Sequence, residues 1–371
     1  MTMLLPTFEL HQPTTLADAV ALAKKLGDDA DFLAGGTDLL PNYKCGLNAR
    51  GHVISLQHIA ELKFVGAAPR GGPGGQGGQG DHVGSPLQIG AGVTLAELEH
   101  NTEVPAGVRA AASQVASPLL RESGTLGGNL MLDNRCHFFN QSYFWRNSLG
   151  YCLKATGDRC HVVPQITEGG KSVLNNKVCV ATHSSDMAPM LIALGATATF
   201  AGPEGIREIK LNDFYWGDGI ARHERKPGEI LVKVNLPRWA QSVRSGWKKL
   251  APRQSIDFSV AGVAAALELD GGKIKTLRVA LGAIDTTPVL FDFSRQDLRK
   301  APGHYLHMDP TKGMPEVMGK TLDDELIAVI AKHVQTIAQP KLNVPMAPDY
   351  RKKMCGVLTR RLLTELRDAK R

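Results

Sequence analysis

The sequence predicts an α+β chain long enough for two or three domains. Three observations carry that reading. The chain has 371 residues, 43% hydrophobic and 21% charged, a balance that supports buried cores without disulfide staples. Helical periodicity recurs in stretches such as 14–26, 322–338 and 350–366. Strand-like runs bounded by glycine turns lie between them, clearest around Asp270-Gly271-Gly272.

Taken in order, Leu16, Ala19, Val20, Ala23 and Leu26 share one helical face, with Thr14 or Thr15 as the cap. A short strand over Phe32–Ala34 breaks into a Gly-Gly turn, and further strands are expected at 51–55 and 87–89. The glycine-rich run 70–80 cannot build a packed core and reads as a loop; no Lys-Ser/Thr follows it, so it is not a phosphate loop. Helices are expected at 94–100 and 108–115, then a second Gly-Gly turn, then a cysteine-bearing stretch with little periodicity. Regular structure resumes with a helix over 187–194 and strands at 197–200 and 228–236. Beyond residue 245 two or three strands surround the Asp270–Gly272 hairpin, 291–318 reads as a long polar loop, and two amphipathic helices close the chain. No internal repeat is visible.

The formal net charge of +7 is mild for this length, and no basic stripe interleaved with aromatics points to nucleic acid. Pro6 and Glu9 fall where a signal peptide needs an apolar core. The most apolar stretch, 187–200, is too short to span a bilayer and contains Pro189 and Gly195. The expectation is a cytoplasmic protein with neither nucleic-acid nor membrane partners.

Two turns suggest chemistry. Glycine lacks Cβ and tolerates positive φ, so backbone can approach a ligand closely, and successive free N–H groups form an anion nest. Gly35-Gly36-Thr37 and Gly127-Gly128-Asn129 both fit, each followed by a hydrogen-bonding side chain. Read alone, they are more simply two ordinary tight turns, since Gly-Gly pairs are common turn signals. Neither is the GxGxxG fingerprint of a Rossmann unit. No Ser-His-Asp triad or carboxylate pair stands out.

With its flanks, this pair resembles something known. FLAGGTDLLP, followed by SPLLRESGTLGGN, is similar to the FAD-binding subunit or domain of the xanthine dehydrogenase and carbon monoxide dehydrogenase family. IGAGVTLAEL from Ile89, SSDMAPMLIALGA from Ser184, KLAPRQSIDFSVAGVAAAL from Lys249, LGAIDTTPV and YRKKMCGVLTRRLL extend the resemblance over most of the chain. It implies a PCMH-type FAD-binding domain over about 1–240, in subdomains of about 1–58 and 59–240. A C-terminal α+β domain, 241–371, with a three-stranded sheet plus helices would follow. The implied cofactor is FAD, held by Leu33, Ala34, Gly35, Gly36, Thr37, Asp38, Ser117, Thr125, Gly127, Gly128, Asn129 and Asp186. Ser117 and Arg121 read equally as scaffold, and Lys249, Arg253 and Asp257 as structural.

The second turn is separated from Asp186 by an insert, about 131–183, with Cys136, Cys152, Cys160 and Cys179 at gaps of 16, 8 and 19. No CxxC is present, so spacing alone leaves open a [4Fe–4S] cluster, tetrahedral zinc or free buried thiols. Phe138, Phe139, Tyr143, Phe144, Trp145 and Tyr151 could screen a cluster, and Arg135, Arg146, Lys154 and Arg159 could offset its charge. An insert at this point resembles the FAD subunit of 4-hydroxybenzoyl-CoA reductase, whose insert carries a [4Fe–4S] cluster on four cysteines. The first two gaps match and the last is longer, with Thr167–Lys171 looping out before Cys179; His137, His161 and His183 could substitute at the fourth position, though their plainer reading is as surface or packing histidines. Cys45 and Cys355 read as packed cysteines, Cys45 close behind the first glycine turn.

The resemblance implies a relay in a molybdenum-containing (αβγ)2 complex. Electrons would pass from ferredoxin through [4Fe–4S] and FAD to [2Fe–2S] on a small subunit and molybdenum on a large molybdopterin subunit, where substrate reacts. Two rivals stand beside it: a hydroxylase FAD subunit passing electrons to NAD or a quinone, and a flavin-free structural subunit whose cysteines hold zinc.

Overall fold

The computed structural model describes residues 4–67, 86–163, 167–168, 171–172, 178–294 and 308–369. The glycine-rich run 70–80 lies outside them. Three larger sheets organise the described chain, and a fourth, two-stranded one pairs Thr167–Glu168 with Lys171–Ser172 in the stretch expected to loop out before Cys179. The first is small and parallel, with Glu9–His11 at one edge, His52–Ser55 in the centre and Ala30–Leu33 at the other edge. Helix Leu16–Leu26 crosses from the first strand toward the second; the Thr15 hydroxyl caps its Asp18 N–H, and Ala19 and Ala23 are buried. These two alanines pack with Ile54, Ile59 and Leu62, and Ile230 reaches in from the next sheet.

The second sheet is antiparallel with strands in the order Val65–Ala67, Leu87–Gly90, Ile230–Leu236, Thr197–Gly202, Gly205–Lys210. Helices cover it. Helix Leu95–His100 begins with a full capping box between Thr94 and Glu97. Helix Met187–Ala193 is buried on every side, which its sequence MAPMLIA anticipates: a helix apolar all round belongs inside.

The third sheet runs Arg244–Leu250, Ala261–Asp270, Lys273–Gly282, Val289–Asp292. It has four strands where the sequence suggested three. The fourth falls at the start of the stretch read as loop, because a four-residue run has too little length to show a period. Strand Ala261–Asp270 is buried on both faces. Val263, Ala265 and Leu267 face helices Asp324–Ile337 and Pro348–Asp368, while Ala264 and Ala266 face the large core of the middle sheet. Alanine on that second face lets the sheet approach helix Met187–Ala193 closely, so the middle and C-terminal units share one core. Among the described residues no helix is long and apolar enough to cross a membrane.

Candidate functional site

The first glycine turn follows directly from the end of strand Ala30–Leu33 and leads into helix Leu39–Lys44. Gly36 has φ 72°, and a Cβ there would press on Leu33 and Leu40. At Gly35 the demand is absolute: a Cβ would lie 1.8 Å from the carbonyl oxygen of Ser123. The turn is thus seated directly on backbone leading into the second motif. Among the described residues, the N–H groups of Gly35, Gly36, Thr37 and Asp38 donate to no protein acceptor. Four adjacent free donors in a turn fit an anion such as a diphosphate.

The second turn is built differently. Thr125 caps helix Leu126–Leu130, its hydroxyl accepting from Gly128 N–H at 3.0 Å. Gly127 N–H donates to Ala91 O at 2.8 Å and Asn129 N–H to Thr125 O at 2.9 Å. Its backbone donors are therefore spent inward, and this turn is not an open nest. What its glycines provide is approach. A Cβ on Gly127 would strike Ala91 at 2.8 Å, and Gly128 faces Ala34, whose Cβ is 3.7 Å from where its own would be. Structure thus brings the two turns together, with Thr37 Oγ1 beside Gly124.

Side chains expected near a cofactor divide into two groups. Asp38 pairs with Arg135 and accepts from Asn42 Nδ2 at 3.1 Å, all at the mouth of the first turn. The others are committed to the scaffold. Asn129 Oδ1 accepts from Ser185 Oγ at 2.7 Å and Met187 N–H at 3.3 Å. Buried Asp186 accepts from Lys249 Nζ at 2.7 Å and Ser259 Oγ at 2.5 Å, so both its oxygens join the middle unit to the C-terminal one. Ser117 caps helix Pro118–Ser123, and Arg121 pairs with Glu99. Arg253 and Asp257 form an i,i+4 pair.

The four insert cysteines converge. Cys136, Cys152, Cys160 and Cys179 are all buried and line one cavity with Phe138, Phe139 and Lys154 among its other walls. Local turns present them: Cys136 O accepts from Phe139 and Asn140 N–H, and Cys152 O accepts from Ala155 and Gly157 N–H. Gly219 N–H holds Cys179 O, and a Cβ at Gly219 would sit 2.7 Å from the Cys179 sulfur. Burial pushes the thiols of Cys136 and Cys179 up to about 12; the neighbouring sulfurs add to the rise at both. Lys154 lies over the Phe139 ring and ties into Asp133 and Gly219 O, at 2.7 and 2.5 Å.

Size discriminates between the possible occupants. With Zn–S near 2.3 Å, a tetrahedral zinc holds its sulfurs about 3.8 Å apart. Among the described residues no three of these sulfurs lie within 4.8 Å of one another, a spacing met only by Glu9, His11 and His52. As they stand, the four thiols therefore do not have the spacing of a single tetrahedral zinc.

Several expectations about the insert are corrected. Tyr143 and Phe144 are 64% and 77% exposed, on the outside of a short helix, so they do not screen the cage. Arg146 is buried, but it binds the carbonyls of Gln141, Cys45 and Gly46 and so clamps the insert to the first unit. Arg159 is half exposed beside Asp158. His161 lines the cavity, its Nε2 within 2.8 Å of Tyr151 O, whereas His183 packs on Tyr215. Cys355 is buried in the C-terminal core. Sequence reasoning missed Gly219, although the Gly217-Asp218-Gly219 run is a turn signal, and did not single out Ser259 within the segment starting at Lys249. One link ties the two sites: Arg135, adjacent to Cys136, reaches Asp38 beside the first turn.

Residues 6–239 match the family model described as the FAD binding domain in molybdopterin dehydrogenase, and residues 248–300 match the CO dehydrogenase flavoprotein C-terminal domain. The chain is 26% identical to the carbon monoxide dehydrogenase medium chain of Afipia carboxidovorans, over 96% of this chain and 95% of that one. It is 30% identical to the aldehyde oxidoreductase FAD-binding subunit of Escherichia coli, over 76% and 82%. Among solved structures, the Cu,Mo-CO dehydrogenase in its cyanide-inactivated form shares the fold: TM-score 0.69 and 24% identity, covering 98% of this chain and 99% of that one.

Proposed function

The chain belongs to the family of FAD-binding domains of molybdopterin dehydrogenases, and from that premise we propose that it is the FAD-carrying electron-transfer subunit of a molybdenum hydroxylase-type complex. The observation that carries the assignment is the first turn, with four free N–H donors seated on the backbone of the second. Gly35, Gly36, Thr37 and Asp38 hold the diphosphate in this reading, with Leu33 and Ala34 delivering the chain to it. Gly127 and Gly128 permit the close approach; Thr125, Asn129, Ser117 and Asp186 are positioning residues. FAD, when bound, can accept and donate one or two electrons. The chain's residues bind, orient and shield it, and substrate chemistry lies on a large molybdopterin subunit, with a small [2Fe–2S] subunit between.

We further propose a [4Fe–4S] cluster on Cys136, Cys152, Cys160 and Cys179. Four buried sulfurs around one cavity support it, as does a spacing that is not that of a single tetrahedral zinc. Ligation must expel the thiol protons that burial retains at Cys136 and Cys179, so loading is favoured by rising pH. The Asp38–Arg135 pair supports a link between the two sites in this reading, since Arg135 adjoins Cys136 and Asp38 ends the first turn.

The relatives are named dehydrogenases or oxidoreductases, which supports outward electron flow to an acceptor such as NAD or a quinone. Inward flow from ferredoxin, as in a 4-hydroxybenzoyl-CoA reductase, rests on the sulfur cage alone. Two measurements decide. Iron and acid-labile sulfide are assayed in the anaerobically purified complex and in its Cys160→Ser variant: about four more iron and four more sulfide per chain in the first than in the second support the cage, while equal iron and sulfide in both overturn it. Stopped-flow reduction of the flavin by ferredoxin, against oxidation of the reduced flavin by NAD or a quinone, then assigns the direction.

A further inference from the structure

A second cluster of ligand-type side chains lies on the first sheet, apart from both sites above. Strands Glu9–His11 and His52–Ser55 are parallel neighbours in the register Glu9 to His52. Glu9 and His11 are two apart and share a face, and the pairing puts His52 on it too. His11 Nε2 is 3.1 Å from His52 Nδ1. Glu9 Oε1 lies 3.7 Å from His11 Nε2, and Glu9 Oε2 lies 3.4 Å from His52 Nδ1. With metal–nitrogen and metal–oxygen bonds of about 2.0–2.2 Å, tetrahedral ligands stand about 3.3–3.6 Å apart. These three donors stand close to the spacing of a coordination sphere, at 3.1, 3.4 and 3.7 Å.

Their surroundings favour the same role. The far nitrogen of His52, Nε2, faces Asp29 Oδ2 at 3.9 Å. Asp29 is itself fixed by Gly51 N–H at 3.1 Å. A carboxylate on the far side of a histidine is an arrangement metal-binding histidines use; closing the 3.9 Å gap would put the proton on Nε2 and leave the Nδ1 lone pair toward Glu9 and His11. The histidine side chains are 17% and 27% exposed and that of Glu9 is 65% exposed, so an ion can enter and a water can complete its sphere. Two imidazoles and a carboxylate suit a borderline divalent ion better than calcium or magnesium, which prefer oxygen.

We infer that Glu9, His11 and His52 form a surface site for one borderline divalent transition ion, represented by Zn2+. Ligation ties a three-residue edge strand to the centre of the sheet whose third strand leads into the Gly35-Gly36 turn. A strand that short has little independent hold, so the ion acts as a staple. The inference does not rest on the flavin or cluster assignment.

The test uses the untagged full chain, freed of adventitious metal with a chelator and dialysed against Zn2+. The wild type and its His11→Ala, His52→Ala and Glu9→Gln variants are compared by bound-metal analysis and thermal melting. Because free thiols can also capture added metal by rearranging, Co2+ is used in parallel to separate sulfur ligation from nitrogen and oxygen ligation by spectrum. Expected is one more bound equivalent in the wild type than in either alanine variant, with a Co2+ spectrum at that equivalent free of sulfur charge-transfer bands. Zn2+ should raise the melting temperature of the wild type more than that of His52→Ala, and Glu9→Gln should bind more weakly while melting like the wild type when both are metal-free. Equal equivalents in all four chains, with every Co2+ ion showing sulfur ligation, would overturn it; so would equal Zn2+ protection of wild type and His52→Ala.

Discussion

Gly35→Ala is the sharpest perturbation of the flavin site. Its Cβ would lie 1.8 Å from Ser123 O and 2.5 Å from Ser123 C. Both obstacles are backbone, so no side chain can swing aside. Reaching even 3.0 Å requires the two turns to separate by about 1.2 Å at that point. Such overpacking costs about 1–3 kcal/mol of stability. Binding suffers separately, because a hydrogen bond to a charged group contributes about 1.5–3 kcal/mol and is steep in distance and angle. Losing one N–H to diphosphate contact weakens FAD about 10- to 150-fold, and losing two more than that. Gly127→Ala provides the control. It also overpacks, against Ala91, but its N–H already serves Ala91 O, so stability falls while flavin affinity changes less. FAD affinity comes from fluorescence titration of the flavin-stripped chain, with circular dichroism to verify folding. A folded Gly35→Ala chain binding FAD as the wild type does would refute the reasoning.

Other outcomes follow from the same contacts. Lys249→Met strands the buried Asp186 carboxylate with only the Ser259 hydroxyl, and should destabilise by about 3–5 kcal/mol in denaturant unfolding; a change under about 1 kcal/mol would show that the pair does not join the two units. Arg135→Gln removes the partner of Asp38 and should weaken FAD about tenfold, a loss like that of one charged hydrogen bond; unchanged titration curves would deny the pair a role at the turn. Burial holds the ring pKa values of His183 and His223 down at about 3, below an unfolded value near 6.5. The unfolded chain therefore binds extra protons between those values, so stability is intact above pH 6.5 and falls below it by about 1.4 kcal/mol per pH unit per histidine. Melting curves from pH 7 to 4 check this, and His183→Gln or His223→Gln should flatten the slope.

Much of this was legible in the residues. Helices with clear apolar faces, such as 16–26 and 324–337, stand where periodicity places them. The two Gly-Gly turns also meet, because Gly35 sits on the backbone of Ser123 and Gly128 faces Ala34. Sequence could not show that only the first turn keeps its donors free: Gly127 spends its N–H on Ala91, far off in sequence. Asp186 illustrates the same limit, since whether a carboxylate faces a ligand or a lysine is decided by folding that brings Lys249 to it. The cysteine cage was readable as clustering, but its width was not, since gaps of 16, 8 and 19 leave sulfur separations undetermined. Glu9, His11 and His52 show no motif at all; parallel pairing across two intervening segments assembles them.

The most direct test of the central claim is the flavin released on denaturing the oxygen-free, natively purified wild-type chain. One FAD per chain, lost on dialysis from Gly35→Ala and retained by Glu9→Gln, is the result expected. A wild-type chain that carries no flavin, and takes up none when FAD is supplied in excess, would contradict the account at its base.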